Sequence, residues 1–148
     1  MAGETIMAGT IIADTLTHST AGSVTTDYVV NGSAKAWVNF NGIGTVSTRD
    51  SLNTSSISDN GTGYYSLNFS TAMSNINYSI SGGTNGSNNS YPTAASAGGD
   101  IRFNTNTASP FKTQPTTSAF TMSVSQDNAL GTALDAEWMY GNVLGDLA

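Results

Sequence analysis

The chain has 148 residues and a formal net charge of −6, set by 10 acidic against only 4 basic side chains, and it contains no cysteine. A disulfide framework and thiolate metal sites are therefore excluded. The basic residues Lys35, Arg49, Arg102 and Lys112 are too scattered to neutralise a nucleic-acid backbone or an anionic membrane surface.

Ser, Thr, Asn and Gly make up about half of the chain, while the residues that favour long helices are scarce. Short runs of Thr, Val, Ile, Tyr and Phe broken by Gly and Asn favour an all-β fold instead. No stretch of about 18 apolar residues is present to span a bilayer as a helix. The N-terminus, MAGETIMAGTIIADTL, lacks the basic start and unbroken apolar core of a secretory signal.

Residues 1–30 hold apolar islands in Gly, Thr and Ser: Ile6, Ile11, Ile12, Leu16, Val24 and Tyr28–Val30. This is too sparse for a core and too apolar for open water, so the stretch reads as an extended arm that adds to a neighbour. Ile6, Ile11, Ile12 and Leu16 are its candidate anchoring residues. An extra edge strand on the chain's own sheet is the alternative. Asn31-Gly32-Ser33 marks the hinge into the globular part, 31–148.

In Ala34–Phe40 the small and apolar Ala34, Ala36, Val38 and Phe40 alternate with Lys35, Trp37 and Asn39, the period of a half-buried strand. Asn41-Gly42 reads as a tight reversal. A second run follows over Ile43–Thr48, with a break near Arg49-Asp50-Ser51. A turn at Asp59–Gly63 then leads into Tyr64–Ser70. The economical reading of 30–70 is an antiparallel meander. Further strands are expected over Asn77–Ser81, Asp100–Thr105, Ser118–Ser125 and Leu134–Leu144, the last bulged at Gly141 or replaced by a short helix at Asp135–Tyr140. The stretches 82–99 and 104–117 read as loops. Long loops on a compact domain often carry binding residues, and Asn85, Asn88, Asn89 and Tyr91 are the candidate receptor contacts. The whole is expected to form an antiparallel β-sandwich, jelly-roll-like, with an N-terminal arm.

Catalytic constellations are not evident. The single histidine, His18, lies in the arm, and no G-x-S-x-G elbow accompanies it. Asp50 and Asp59 sit at opposite ends of one segment, Asp50 beside Arg49 as its neutralising partner and Asp59 in a turn. Asp59-Asn60-Gly61 and Asp127-Asn128 lack the full calcium-loop spacing. The expectation is a non-enzymatic protein without metal or cofactor.

The order GSAKAWVNFNGIGTV, RDSLN, SISDNGTGYYSLNFSTAM and then Asn77-Tyr78 resembles the C-terminal head domains of tail-fibre-like proteins of marine bacteriophages, over most of Asn31 to Ile80. The resemblance implies a virion appendage, a homotrimer whose β-sandwich heads touch a host-surface glycan or protein while residues 1–30 dock onto other virion proteins. The chain has no coiled-coil or β-helical shaft. A capsid decoration or cement protein without host recognition is therefore the competing expectation.

Overall fold

The computed structural model describes residues 12–87, 100–103, 114–125 and 133–148, with the backbone alone for His18, residues 85–87 and Asp100. The chain divides into two units, Met1–Ser33 and Ala34–Ala148.

In the first unit, β1 (Thr15–His18) pairs antiparallel with β2 (Gly22–Thr25), and a short helix α1 (Thr26–Gly32) follows. This corrects the expectation of a wholly extended arm. Thr17 and Ser23 face each other across the hairpin with hydroxyls 2.9 Å apart. Thr26 fastens the helix start by donating its N–H to Asp14 O and its hydroxyl to Ala13 O. Asp27 lies in the first turn, where a negative charge favours the helix dipole. The β-branched pair Val29-Val30 disguises this helix as strand in the sequence. No residue from Ile12 to Ser33 with a described side chain is buried.

The second unit is an antiparallel β-sandwich. In chain order its strands are β3 (Ala34–Asn41), β4 (Ser47–Leu52), β5 (Thr54–Asp59), β6 (Tyr64–Phe69), β7 (Ser79–Ser87), β8 (Asp100–Phe103), β9 (Ala119–Ser125) and β10 (Ala136–Leu144). The first sheet has the order β4-β3-β10-β7 and the second β5-β6-β9-β8. Ala36, Val38 and Phe40 of β3, with Met139 and Val143 of β10, face Tyr65, Leu67 and Phe69 of β6 and Phe120, Met122 and Val124 of β9 in one buried core. Aromatic edges meet there: Phe40 and Tyr65 at 5.2 Å and 74°, Phe69 and Tyr78 at 5.8 Å and 78°.

The meander expected over 30–70 is replaced by two hairpins in different sheets. β3 pairs with β4 and β5 pairs with β6, and the chain changes sheet between Leu52 and Thr54. Asn53 makes this step with φ at 53°, a left-handed conformation that Asn tolerates better than most residues. Its amide is held at both ends: Thr71 N–H donates to Oδ1 at 2.6 Å, and Nδ2 donates to Thr71 O at 3.0 Å. The expected break at Arg49–Ser51 lies within β4. Arg49 is the extra residue of a bulge, since Asn39 pairs with Asp50 and Phe40 with Thr48. On β10 the register shifts between Val143 and Leu144 rather than at Gly141.

A polar lock joins the sheets at one end. The Tyr65 hydroxyl donates to Asp135 Oδ1 at 2.7 Å and lies 3.0 Å from Gly42 O, while Gly63 N–H also donates to Asp135 Oδ1 at 2.7 Å. Gly42 N–H donates to Ala136 O. A Cβ at Gly42 would stand 2.6 Å from the Tyr65 hydroxyl and 2.9 Å from Ala136 O, so this position has no room for a side chain. Asn41-Gly42 is thus a close-packed joint rather than the whole of a tight turn; the link to β4 runs over residues 42–46. Burial pushes the Tyr65 phenol strongly up, and the Asp135 carboxylate adds to the shift. Burial also pushes Tyr78 up to about 12; its hydroxyl serves Thr116 O and Ala119 O at 2.9 and 3.0 Å.

Candidate functional site

Strand alternation that turns Ala36, Val38 and Phe40 inward must turn Trp37 and Asn39 outward. The outer face of the first sheet consequently carries two registered rows across its four strands. One runs Gly83–Tyr140–Asn39–Asp50 and the next Ser81–Asn142–Trp37–Leu52. Each row thus sets one aromatic ring among amide, hydroxyl or carboxylate groups. Tyr140 is 44% exposed although it sits on an interior strand. Its ring comes close to β7: a Cβ added to Gly83 would meet Tyr140 Cε2 at 2.7 Å and Cζ at 3.0 Å. Glycine at 83 therefore makes the bed for this ring.

The polar groups beside the rings are oriented. Ser81 Oγ donates to Asn142 Oδ1 at 2.8 Å, which turns the Asn142 Nδ2 donors away from the serine. Asp50 accepts the Ser51 N–H at 2.8 Å through one carboxylate oxygen. Asn39 Oδ1 is shut from solvent without a hydrogen-bond partner, a state that costs about 1–3 kcal/mol until a donor reaches it.

One end of this face is closed by a clasp. The Arg49 guanidinium stacks 3.8 Å above the Trp138 ring, donates to Glu137 O at 2.6 Å and lies 3.8 Å from the Glu137 carboxylate. The expected partnership of Arg49 with Asp50 is thus replaced by one with β10. The bulge explains the change, because it inserts Arg49 between the residues that pair with β3 and leaves Asp50 in the regular row.

The opposite outer face, on the second sheet, is built differently. Asn68 Nδ2 donates to the hydroxyls of Ser56 and Ser58 at 3.1 and 3.2 Å, and Asn60 Nδ2 donates to Ser66 Oγ at 2.7 Å. Thr121 and Ser123 of β9 are buried on this side. The amides of Asn60 and Asn68 are thus spent on neighbouring hydroxyls.

Of the candidate anchoring residues, Ile12 is 93% exposed and Leu16 lies exposed in β1, whereas Ile6 and Ile11 fall outside the described residues. Leu16 also lines an open groove of about 360 Å³ with Val24, Thr17, Ala21, Gly22 and Ser23. Of the candidate receptor contacts, Asn85 belongs to β7 and pairs with Trp138, so residues 82–87 extend a strand rather than open a loop. Asn88, Asn89 and Tyr91 lie outside the described residues, as does 104–113 of the second expected loop. Trp37, Trp138 and Tyr140 were not singled out by sequence reasoning. The available signal was their phase, since each lies out of step with its strand's apolar face. Among the described residues no group of three or more His, Asp or Glu side chains could hold a metal ion. Comparison with known families, curated proteins and solved structures returns no match.

Proposed function

We propose that this chain is a non-enzymatic structural protein of a bacteriophage virion, a short trimeric appendage whose N-terminal unit attaches to the particle and whose sandwich contacts the host surface. The observation that carries the reading is the contrast in burial between the units. The sandwich has a complete core of its own. The hairpin and helix leave Ile12, Leu16, Val24, Tyr28, Val29 and Val30 exposed, with Tyr28 at 74%. A two-stranded hairpin with one short helix is marginal in water without further packing, so its apolar side chains gain most by being covered in an assembly. The resemblance supports the same reading. Its residues supply the joint at Gly42, the turn at Asp59–Gly63 and the buried Tyr65, which together build a scaffold.

The test is to locate the chain on purified particles by mass spectrometry and particle reconstruction, and to compare the full chain with one lacking residues 1–33. The expected outcome is a trimeric density at the tail or vertex, and a truncated form that stays folded but no longer attaches. A position between capsomers would replace the appendage reading with a decoration role, and a truncated form that still attaches would refute the anchoring role.

A further inference from the structure

We propose that the outer face of the first sheet binds a neutral polysaccharide, with sugar rings resting on Tyr140 and Trp37 and sugar hydroxyls meeting Asn142, Asp50 and Ser81. The inference deepens the host-contact reading above and rests on it for the source of the ligand. It moves that contact from the loops to a sheet face.

The chemistry of the rows selects this ligand. A pyranose ring has an apolar C–H face, which packs on an aromatic ring, and a rim of hydroxyls, which needs donors and acceptors at the ring's edge. Tyr140 and Trp37 lie on adjacent strands in successive rows, each flanked by polar side chains: Asn39 beside Tyr140, and Asn142 beside Trp37. A protein-docking surface would gather its apolar groups into a central patch with a polar rim, whereas here the two interior strands set ring beside amide, Tyr140 against Asn39 and Asn142 against Trp37, with the exposed Leu52 and Leu144 at the margin. Gly83 leaves room for the Tyr140 ring to lie close to the β7 backbone.

Charge decides between neutral and anionic chains. Asp50 lies in the same row as Tyr140, Glu137 flanks the clasp, and Arg49 is already engaged by Glu137 and Trp138. Lys35 shares the outward phase of β3 with Trp37 and Asn39, but with two carboxylates nearby and a net charge of −6 the face lacks the excess of positive charge that a polyanion needs.

The experiment uses the full chain in native affinity electrophoresis through gels containing laminarin, mannan or dextran, with alginate as the anionic comparison. Retardation is expected in at least one neutral gel and not in alginate. Tyr140→Ala and Trp37→Ala should each weaken it about tenfold or more, an effect of the size lost with one good contact. Gly83→Ala, which lifts the ring without removing it, should weaken it as well. Asn68→Ala, on the other sheet's outer face, should leave it unchanged. Circular dichroism of each variant confirms that the sandwich is intact. No retardation in any neutral gel, retardation of Tyr140→Ala and Trp37→Ala undiminished from that of the unsubstituted chain, or stronger retardation in alginate would overturn the proposal. A chain present on virions but never retarded sinks the polysaccharide site alone. A chain retarded through Tyr140 but absent from particles upholds the site and sinks the virion reading.

Discussion

The two outer faces of the sandwich rest on the same core and are made from the same residue classes, yet they present different chemistry. On the second sheet, Asn68 spends its amide on Ser56 and Ser58, and Asn60 spends its amide on Ser66. On the first sheet, Asn142 is oriented by Ser81, and Trp37, Trp138 and Tyr140 stand beside it and Asn39. An amide contributes to stability when its partners are neighbours, and to recognition when its partners must come from outside. Strand spacing decides which occurs. Small hydroxyl side chains on adjacent strands reach one another, whereas large rings hold the intervening amides apart.

The comparison can be broken or sharpened by substitution. The largest effect is expected from Phe40→Ala, which removes a fully buried ring shared by both faces. It should lower the unfolding free energy in urea by about 3–5 kcal/mol and loosen the two faces together. Tyr65→Phe should cost about 1–3 kcal/mol, since it leaves Asp135 Oδ1 without its hydroxyl donor. The same phenol sets a pH limit. Both Tyr65 and Tyr78 have their folded values raised, so their contribution is complete below the ordinary tyrosine value near 10. It is lost as the pH rises above that value, because the unfolded chain then releases protons that the fold retains. Urea titrations between pH 10 and 12 should show a decline of about 1.4 kcal/mol per pH unit for each phenol, and Tyr65→Phe should reduce the slope.

A finer contrast separates the faces themselves. Asn68→Ala should cost about 1 kcal/mol, whereas Asn142→Ala should stay within about 0.5 kcal/mol. Equal costs would mean that the first face is as self-satisfied as the second. The smallest effect is expected at the clasp. Arg49→Ala should change stability by about 1 kcal/mol or less, because the ion pair is exposed and the ring contact modest. The tryptophan emission should nevertheless shift as Trp138 loses its cover.

The sandwich was legible where one face is apolar and the other is not. Alternation placed strands over Ala34–Phe40, Tyr64–Ser70 and Ser118–Ser125 to within about a residue of β3, β6 and β9. β4 and β5 escaped because both are largely exposed and so carry no apolar period. The sheet change at Asn53 has no marker beyond one asparagine among serines and threonines. β7 was expected to end at Ser81, because Gly82 and Gly83 read as punctuation, when Gly83 is a contact surface for Tyr140. The aromatic face was hidden for a related reason. Trp37 was read only as the polar phase of a strand, and a ring on the solvent side says nothing of its companions until the register of β3, β4, β7 and β10 is known.

The place where the sandwich begins has a mechanical consequence. Ala34 opens β3, which lies between β4 and β10 rather than at a sheet edge. A tug transmitted along the backbone into Ala34 therefore loads the ladder with β10 first, and from Trp37 onward the ladder with β4 as well. Withdrawing the body of that strand requires both to slip together, where an edge strand is held by one ladder alone, so the domain should tolerate load applied through its junction with the first unit.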